Sequence, residues 1–251
     1  RDCYIVNDGE FIEISKNSIK VFDKDANEKE VKIQTINLSI DAAEKGGYDY
    51  FMAKEIFEQP KAVKDTVSPL IEDGKIQLPF KFPENFVKNL NKIYIVACGS
   101  AYHVGVTAKY IIEDIVRVPV IVDIASEFRY RNPIIGKGDL CIFVSQSGET
   151  ADTLASLREA KARGAFTLSI VNVLFSTIAR ESDAVIYTNA GAEIAVATTK
   201  AFSAQLSVAY VLSGFMAHEK GLMNSEELKN FTDEILRLPE KIQNALDCNT
   251  I

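Results

Sequence analysis

Leu140-Cys141-Ile142-Phe143-Val144, followed directly by Ser145-Gln146-Ser147-Gly148-Glu149-Thr150, is the stretch on which the fold turns. An unbroken run of apolar, partly β-branched residues reads as a strand buried on both faces, as in a parallel sheet. The polar loop after it opens a helical stretch from Thr150 to Arg163, closed by Gly164 as a C-cap. The same alternation repeats on both sides. Upstream, Ile93 to Ala97 reads as a strand, followed by Cys98-Gly99-Ser100 and a helix to about Arg117. Val120 to Val122 is a second strand, with a short segment from Ser126 to Arg131. Downstream come a strand from Phe166 to Val171, a short helix from Ser176 to Glu181 and a strand from Ala184 to Tyr187. Two helices, Thr198 to about Lys220 and Ser225 to about Leu246, finish the chain. Parallel strands need crossover helices between them. The pattern therefore predicts an α/β fold with a doubly wound, parallel five-stranded sheet over residues 85–251. Its ligand crevice should lie beyond the carboxyl ends of the strands.

The rest of the chain reads differently. Residues 1–36 suggest β structure: Tyr4-Ile5-Val6 and Phe11 to Ile14 flank the turn Asn7-Asp8-Gly9 as a hairpin. Ser18 to Phe22 and Val31-Lys32-Ile33 alternate as further strands. So few short strands cannot bury both faces of a sheet, so this part reads as the tail of a larger β domain. Residues 37–84 read as a connection. Tyr48 to Phe57 has helical spacing, and Gln59-Pro60 is expected to interrupt it, because a residue before proline disfavours the helical region.

Composition excludes several classes. Of 251 residues, 47% are hydrophobic and 25% charged, unlike a disordered or collagen-like chain. The formal charge of −7 gives no basic face of the kind that drives nucleic-acid binding, so no nucleic-acid partner is expected. No run approaches the roughly 20 apolar residues that span a bilayer, so no membrane partner is expected either. Cys3, Cys98, Cys141 and Cys248 are scattered without a C-x-x-C pair, which reads as a reduced, cytoplasmic protein. With only His103 and His218, neither a histidine-based metal site nor a histidine triad is expected, and no cofactor is implied. Arg1-Asp2-Cys3-Tyr4 is neither a signal peptide nor an initiator methionine, as in an excised or processed piece.

The strand ends hold the candidate chemistry. At Cys98-Gly99-Ser100-Ala101, glycine permits a tight turn and Ser100 could cap the next helix. Ser145 to Thr150 gathers three hydroxyls and an amide at a helix start. Unpaired N–H groups and the helix dipole favour an anion there, and one cap needs only one hydroxyl. Glu193 reads either as an acid or base or as a capping residue, and Thr198 or Thr199 as a cap. Lys200 reads as solvated or paired rather than as a nucleophile. His103 either faces the crevice or is structural.

Together these strings carry a resemblance. Ser-x-Ser-Gly-x-Thr after a buried strand resembles the signature loop of the SIS (sugar isomerase) family. Ala97 to Ser100, Ala125 to Arg131, Ser145 to Thr153 and Glu193 to Phe202 resemble the glutamine–fructose-6-phosphate aminotransferases within it, as does Lys54 to Pro60. The resemblance implies that residues 1–36 end a glutaminase domain, 37–84 form a linker and 85–251 form the first of two SIS domains. It implies a sugar-phosphate ligand, fructose 6-phosphate or glucosamine 6-phosphate, and a homodimer formed through SIS domains. Ser145, Gln146, Ser147 and Thr150 would hold the phosphate, while Gly99, Ser100, Ala101 and Val196 would line the sugar. Ala101 stands where the family often has a second hydroxyl, so any contact there would fall to its backbone. The family's catalytic lysine, glutamate and histidine lie in a second SIS domain, and its glutamine nucleophile is an N-terminal cysteine that Cys3 does not match. No catalytic residue is therefore assigned here, and the chain alone is expected to be inactive. The alternative expectation is a non-enzymatic SIS-type sugar-phosphate sensor.

Overall fold

The computed structural model describes residues 2–31, 33–35 and 44–248. The chain divides into two compact units, residues 1–44 and 45–251.

In the smaller unit, β1 (Asp2–Cys3) pairs antiparallel with β5 (Gln34–Thr35). A second antiparallel sheet has the order β2 (Phe11–Ile14), β3 (Ile19–Phe22), β4 (Glu28–Lys29). The expected hairpin around Asn7-Asp8-Gly9 is not the one formed: Phe11 to Ile14 pairs with Ile19 to Phe22 through the Ser15–Ser18 turn. Tyr4 to Asn7 is loop instead, because the Glu10 carboxylate draws it inward. That carboxylate accepts from the Tyr4 hydroxyl at 2.9 Å and from the Asn7 backbone N–H at 2.9 Å. Val31 and Ile33 lie outside any strand, and Lys32 between them lies outside the described residues, as do residues 37–43 of the expected connection.

The larger unit opens with α1 (Phe51–Phe57), α2 (Gln59–Val67) and a small hairpin of β6 (Ile71–Glu72) and β7 (Lys75–Ile76). The helical stretch is interrupted before Gln59-Pro60 as expected, α1 ending at Phe57, and the pair then opens a second helix. Proline is well tolerated in a first turn, where its missing N–H would have no partner anyway. Val63 and Val67 of α2 then enter the main core.

The sheet that follows consists of β8 (Ile93–Ala97), β9 (Val120–Ile124), β10 (Leu140–Ser145), β11 (Phe166–Val171) and β12 (Ala184–Tyr187). All neighbours are parallel, in the order β12-β11-β10-β8-β9. Its helices are α3 (Ser100–Ile115), α4 (Ala125–Phe128), α5 (Ala151–Ala162), α6 (Thr177–Glu181), α7 (Lys200–Glu219), α8 (Ser225–Leu236) and α9 (Leu238–Asp247). The expected single helix from Ser225 to Leu246 is two, because Pro239 in the first turn of α9 breaks the ladder.

Alternation along each strand separates two cores. Ile93, Ile95, Leu140, Ile142 and Val144 face one side with Ile112 of α3 and Val208 and Leu212 of α7. Tyr94, Val96, Cys141 and Phe143 face the other with Phe128 of α4, Leu157 of α5 and Ile178 of α6. Helices thus cover both faces, which is why the strands read as continuous apolar runs. From β8 the chain first goes outward to β9 and then crosses to β10 on the opposite side. The order therefore reverses between β8 and β10, which is where a doubly wound sheet opens its ligand crevice. Among the described residues, no helix is long and apolar enough to cross a membrane.

Candidate functional site

Val144 pairs in register with Ala97, so the loops after β8 and β10 leave the sheet side by side at this reversal. After β8, Gly99 takes φ +56° and occupies the N-cap position of α3. Ser100 is therefore the first residue of the helix and does not cap it, contrary to the sequence reading.

After β10 the loop is organised by its own hydroxyls. The buried Ser145 Oγ accepts from the Gly148 backbone N–H at 3.0 Å and lies 3.3 Å from Thr150 Oγ1. Ser147 Oγ accepts from the Glu149 N–H at 3.2 Å. Each serine thus uses a lone pair on the loop; Ser147 keeps its O–H proton for another acceptor, and the Ser145–Thr150 pair keeps one of its two. Thr150 sits at the N-cap of α5 but makes no side-chain cap. The N–H groups at the start of α5 are consequently not consumed by a hydroxyl, and the helix dipole adds roughly half a positive charge there.

The third wall is the loop after β12. The Glu193 carboxylate accepts from the Thr198 hydroxyl at 2.9 Å and from the backbone N–H groups of Thr199 at 2.9 Å and Ala201 at 3.3 Å. Glu193 is thus the cap of α7. The threonines expected in that role do not perform it, since Thr199 at the N-cap makes no side-chain bond to the helix. A full negative charge at a helix N-terminus outcompetes a hydroxyl.

Two further glutamates, both on or beside α1, secure this loop. Glu55, 2% exposed, accepts from the N–H groups of Ile194 at 2.6 Å and Ala195 at 3.1 Å. Glu58 takes the buried Lys200 ammonium at 2.6 Å. Lys200 is thereby paired and does not line the cavity.

Between these three loops lies a cavity of about 260 Å³. Ser100, Ala101, Ser145, Gln146, Ser147, Thr150 and Val196 all line it. Gly99 is not in the lining; it forms the turn directly behind Ser100. His103 is exposed on α3 and away from the cavity. Val196 projects fully into solvent at the mouth. Cys98, Val144, Glu193, Ala195, Thr198 and Gln205 complete the lining. Gln205, deep in α7 and 2% exposed, had no local signal in the sequence, because only the packing of α7 against the sheet brings it there. The lining contains no lysine or arginine, and its one charge, Glu193, is engaged by α7. Among the described residues, no cluster of three or more His, Cys, Asp or Glu side chains is arranged to hold a metal ion.

A hydroxyl-lined cavity without cations, at the switch point of a 2-1-3-4-5 parallel sheet, is what this architecture defines. The SIS domain model matches residues 87–213, and the chain belongs to the SIS domain family. It is 51% identical to a glutamine–fructose-6-phosphate aminotransferase (isomerizing) of Clostridium tetani, over 100% of this chain and 42% of that protein. The protein of the same name from Clostridium acetobutylicum is 48% identical over 98% of this chain and 41% of its own length. Among solved structures, the C-terminal domain of a glucosamine-fructose-6-phosphate aminotransferase from Francisella tularensis superposes with a TM-score of 0.76 at 41% identity. That match covers 81% of this chain and 57% of the other. The chain thus spans about two fifths of the length of the curated relatives it matches.

Proposed function

We propose that the larger unit binds a hexose 6-phosphate, with the phosphate in the Ser145–Thr150 loop and the sugar toward Ser100, Ala101 and Val196. The observation that carries this reading is the use of the three hydroxyls. None of Ser145, Ser147 or Thr150 is committed to capping α5, so the Ser147 O–H and one O–H of the Ser145–Thr150 pair are left to an anion, together with the helix N-terminus. Larger recesses elsewhere are built differently; one of about 320 Å³ at the start of α8 has a single hydroxyl, Ser225, in its lining. One of about 350 Å³ is lined by Phe80, Phe82, Phe86 and Phe215, and one of about 400 Å³ by Leu206, Tyr210, Phe231 and Leu238. The recess of about 350 Å³ has no serine or threonine in its lining, and in that of about 400 Å³ Ser203 and Ser207 donate their protons to Gln59 and to the Ala204 carbonyl.

In this reading the chain is the sugar-phosphate-binding half of the isomerase part of a glutamine–fructose-6-phosphate transaminase, and its ligands are fructose 6-phosphate and glucosamine 6-phosphate. The names of the relatives favour this over a non-enzymatic sensor. Residues 1–36 would then end a glutaminase domain, residues 37–84 would form the linker and residues 85–251 the first SIS domain. The protein would be cytoplasmic and dimerise through SIS domains. The work of these residues is capture and orientation: the cradle fixes the phosphate end, so that the carbons to be isomerised lie at a constant distance from it. Proton transfer between adjacent carbons needs a positioned base. Glu193 is spent on α7 and Lys200 on Glu58, so this chain alone should bind without turning over.

Calorimetry with fructose 6-phosphate tests the reading. A hydrogen bond to a charged group contributes about 1.5–3 kcal/mol, so Ser147→Ala should weaken binding by roughly 10-fold or more. Equal affinity in wild type and variant would show the phosphate to be placed wrongly.

A further inference from the structure

We infer that Gln205 hydrogen-bonds the hydroxyl-bearing part of the sugar and so sets which phosphate ester the cavity retains, an inference that rests on the phosphate cradle proposed above. Gln205 lies on the second turn of α7 and is 2% exposed, yet it lines the cavity. Its carboxamide offers two N–H donors and a carbonyl acceptor. Among the described residues it makes no hydrogen bond, and neither polar atom is sealed in the core like Glu55 Oε2. Both atoms therefore keep a small accessible surface, on a residue that lines the cavity. Leaving a buried amide unpaired is unfavourable, and a polar group retained in such a place awaits a partner.

Most other polar side chains of the lining already have a partner. Ser145 and Ser147 hold the phosphate loop, and Thr198 donates to Glu193. Ser100 and Gln146 also lack a side-chain partner among the described residues, but both are open enough for water to satisfy them. Gln205 alone combines burial, an unused amide and a place in the wall. Its chemistry also selects the end of the ligand it meets. A phosphate only accepts hydrogen bonds, whereas a sugar hydroxyl donates and accepts. A neutral amide with both functions matches the hydroxyl, and the donors of the α5 start match the phosphate.

The test titrates the 251-residue chain with fructose 6-phosphate and, separately, with inorganic phosphate. Gln205→Met keeps the side-chain length and removes both hydrogen-bonding functions. It should bind fructose 6-phosphate at least about 10-fold more weakly while binding inorganic phosphate as the wild type does. Gln205→Asn, which withdraws the amide by one methylene, should show the same split and carries the test if the methionine variant does not fold. Equal loss of both ligands would make Gln205 a structural support of the cradle, and loss of neither would leave it without a role; either result overturns the inference. Ser147→Ala in parallel should weaken both ligands. If it does so while the Gln205 variants change nothing, the cradle stands and only Gln205 was misread. A wild-type chain that binds neither ligand removes the cradle and this inference together.

Discussion

Gly148 carries two constraints, and both follow from its place between the phosphate loop and α6. Its φ is +66°, a region that L-residues with a Cβ occupy at about 1–2 kcal/mol. A Cβ there would also lie 2.0 Å from Ser176 Oγ and 2.5 Å from Ser176 Cβ, closer than any real contact. The close approach is useful: the Gly148 carbonyl accepts from the Ile178 N–H at 3.0 Å, tying the loop to α6 while its own N–H aims Ser145 Oγ. Gly148→Ala should therefore lower stability by more than about 2 kcal/mol in urea unfolding and abolish sugar-phosphate binding. A variant with unchanged unfolding midpoint and affinity would contradict this geometry. At this scale the site was only partly legible in the sequence. Ser145 to Thr150 is contiguous, so its clustered hydroxyls show in a single string. Gln205 and Glu55 reach the cavity and its loop only through tertiary packing, and an isolated glutamine or glutamate in a helix carries no such mark.

The stretch around Gln59-Pro60, where the sequence marks a break, supports the site. The helix does stop before Gln59-Pro60, at Phe57, but the proline also opens α2 directly after α1, and the two helices bring Glu55 and Glu58 under the loop after β12. Proline at a helix boundary marks a stop or a start equally well, and tertiary contacts decide which. The same ambiguity hid the break at Pro239. The parallel strands were legible because both their faces are buried, whereas the strands of residues 1–35 expose much of their length and pair by turn chemistry that short alternation does not specify. The role of α1 can be measured. Glu55→Ala strips the N–H groups of Ile194 and Ala195 of a charged acceptor, and a hydrogen bond to a charged group contributes about 1.5–3 kcal/mol. The variant should unfold at lower urea concentration and bind fructose 6-phosphate more weakly, because Ala195 and Val196 lose their anchor. Unaltered affinity with reduced stability would confine α1 to a scaffolding role.

Across the whole molecule, the four cysteines report on the packing from end to end. Cys248 is exposed, Cys3 and Cys98 are half-buried, and Cys141 is fully buried in the centre of the sheet. Burial pushes the Cys141 thiol up from its ordinary 9.0 to about 12, since the thiolate would have to form in an apolar core beside Asp139. A disulfide-exchange reagent is attacked by the cysteine thiolate, with its own thiol as leaving group. At pH 8 we expect Cys3, Cys98 and Cys248 to react in the native chain and Cys141 to react only after denaturant is added. Raising the pH to 10 should not recruit it, because the folded thiol stays protonated. The unfolded chain, however, ionises this thiol above about pH 9, so its contribution to folding stability is complete below that value and is lost progressively as pH rises toward 12. Cys98 lines the cavity, so fructose 6-phosphate should slow its modification and leave Cys3 and Cys248 unaffected. Four thiols reacting at one rate in the native chain would mean that the parallel sheet does not enclose Cys141 as the register with Tyr94 and Thr167 requires. Three fast thiols without protection at Cys98 would keep the sheet and move the sugar phosphate away from the end of β8.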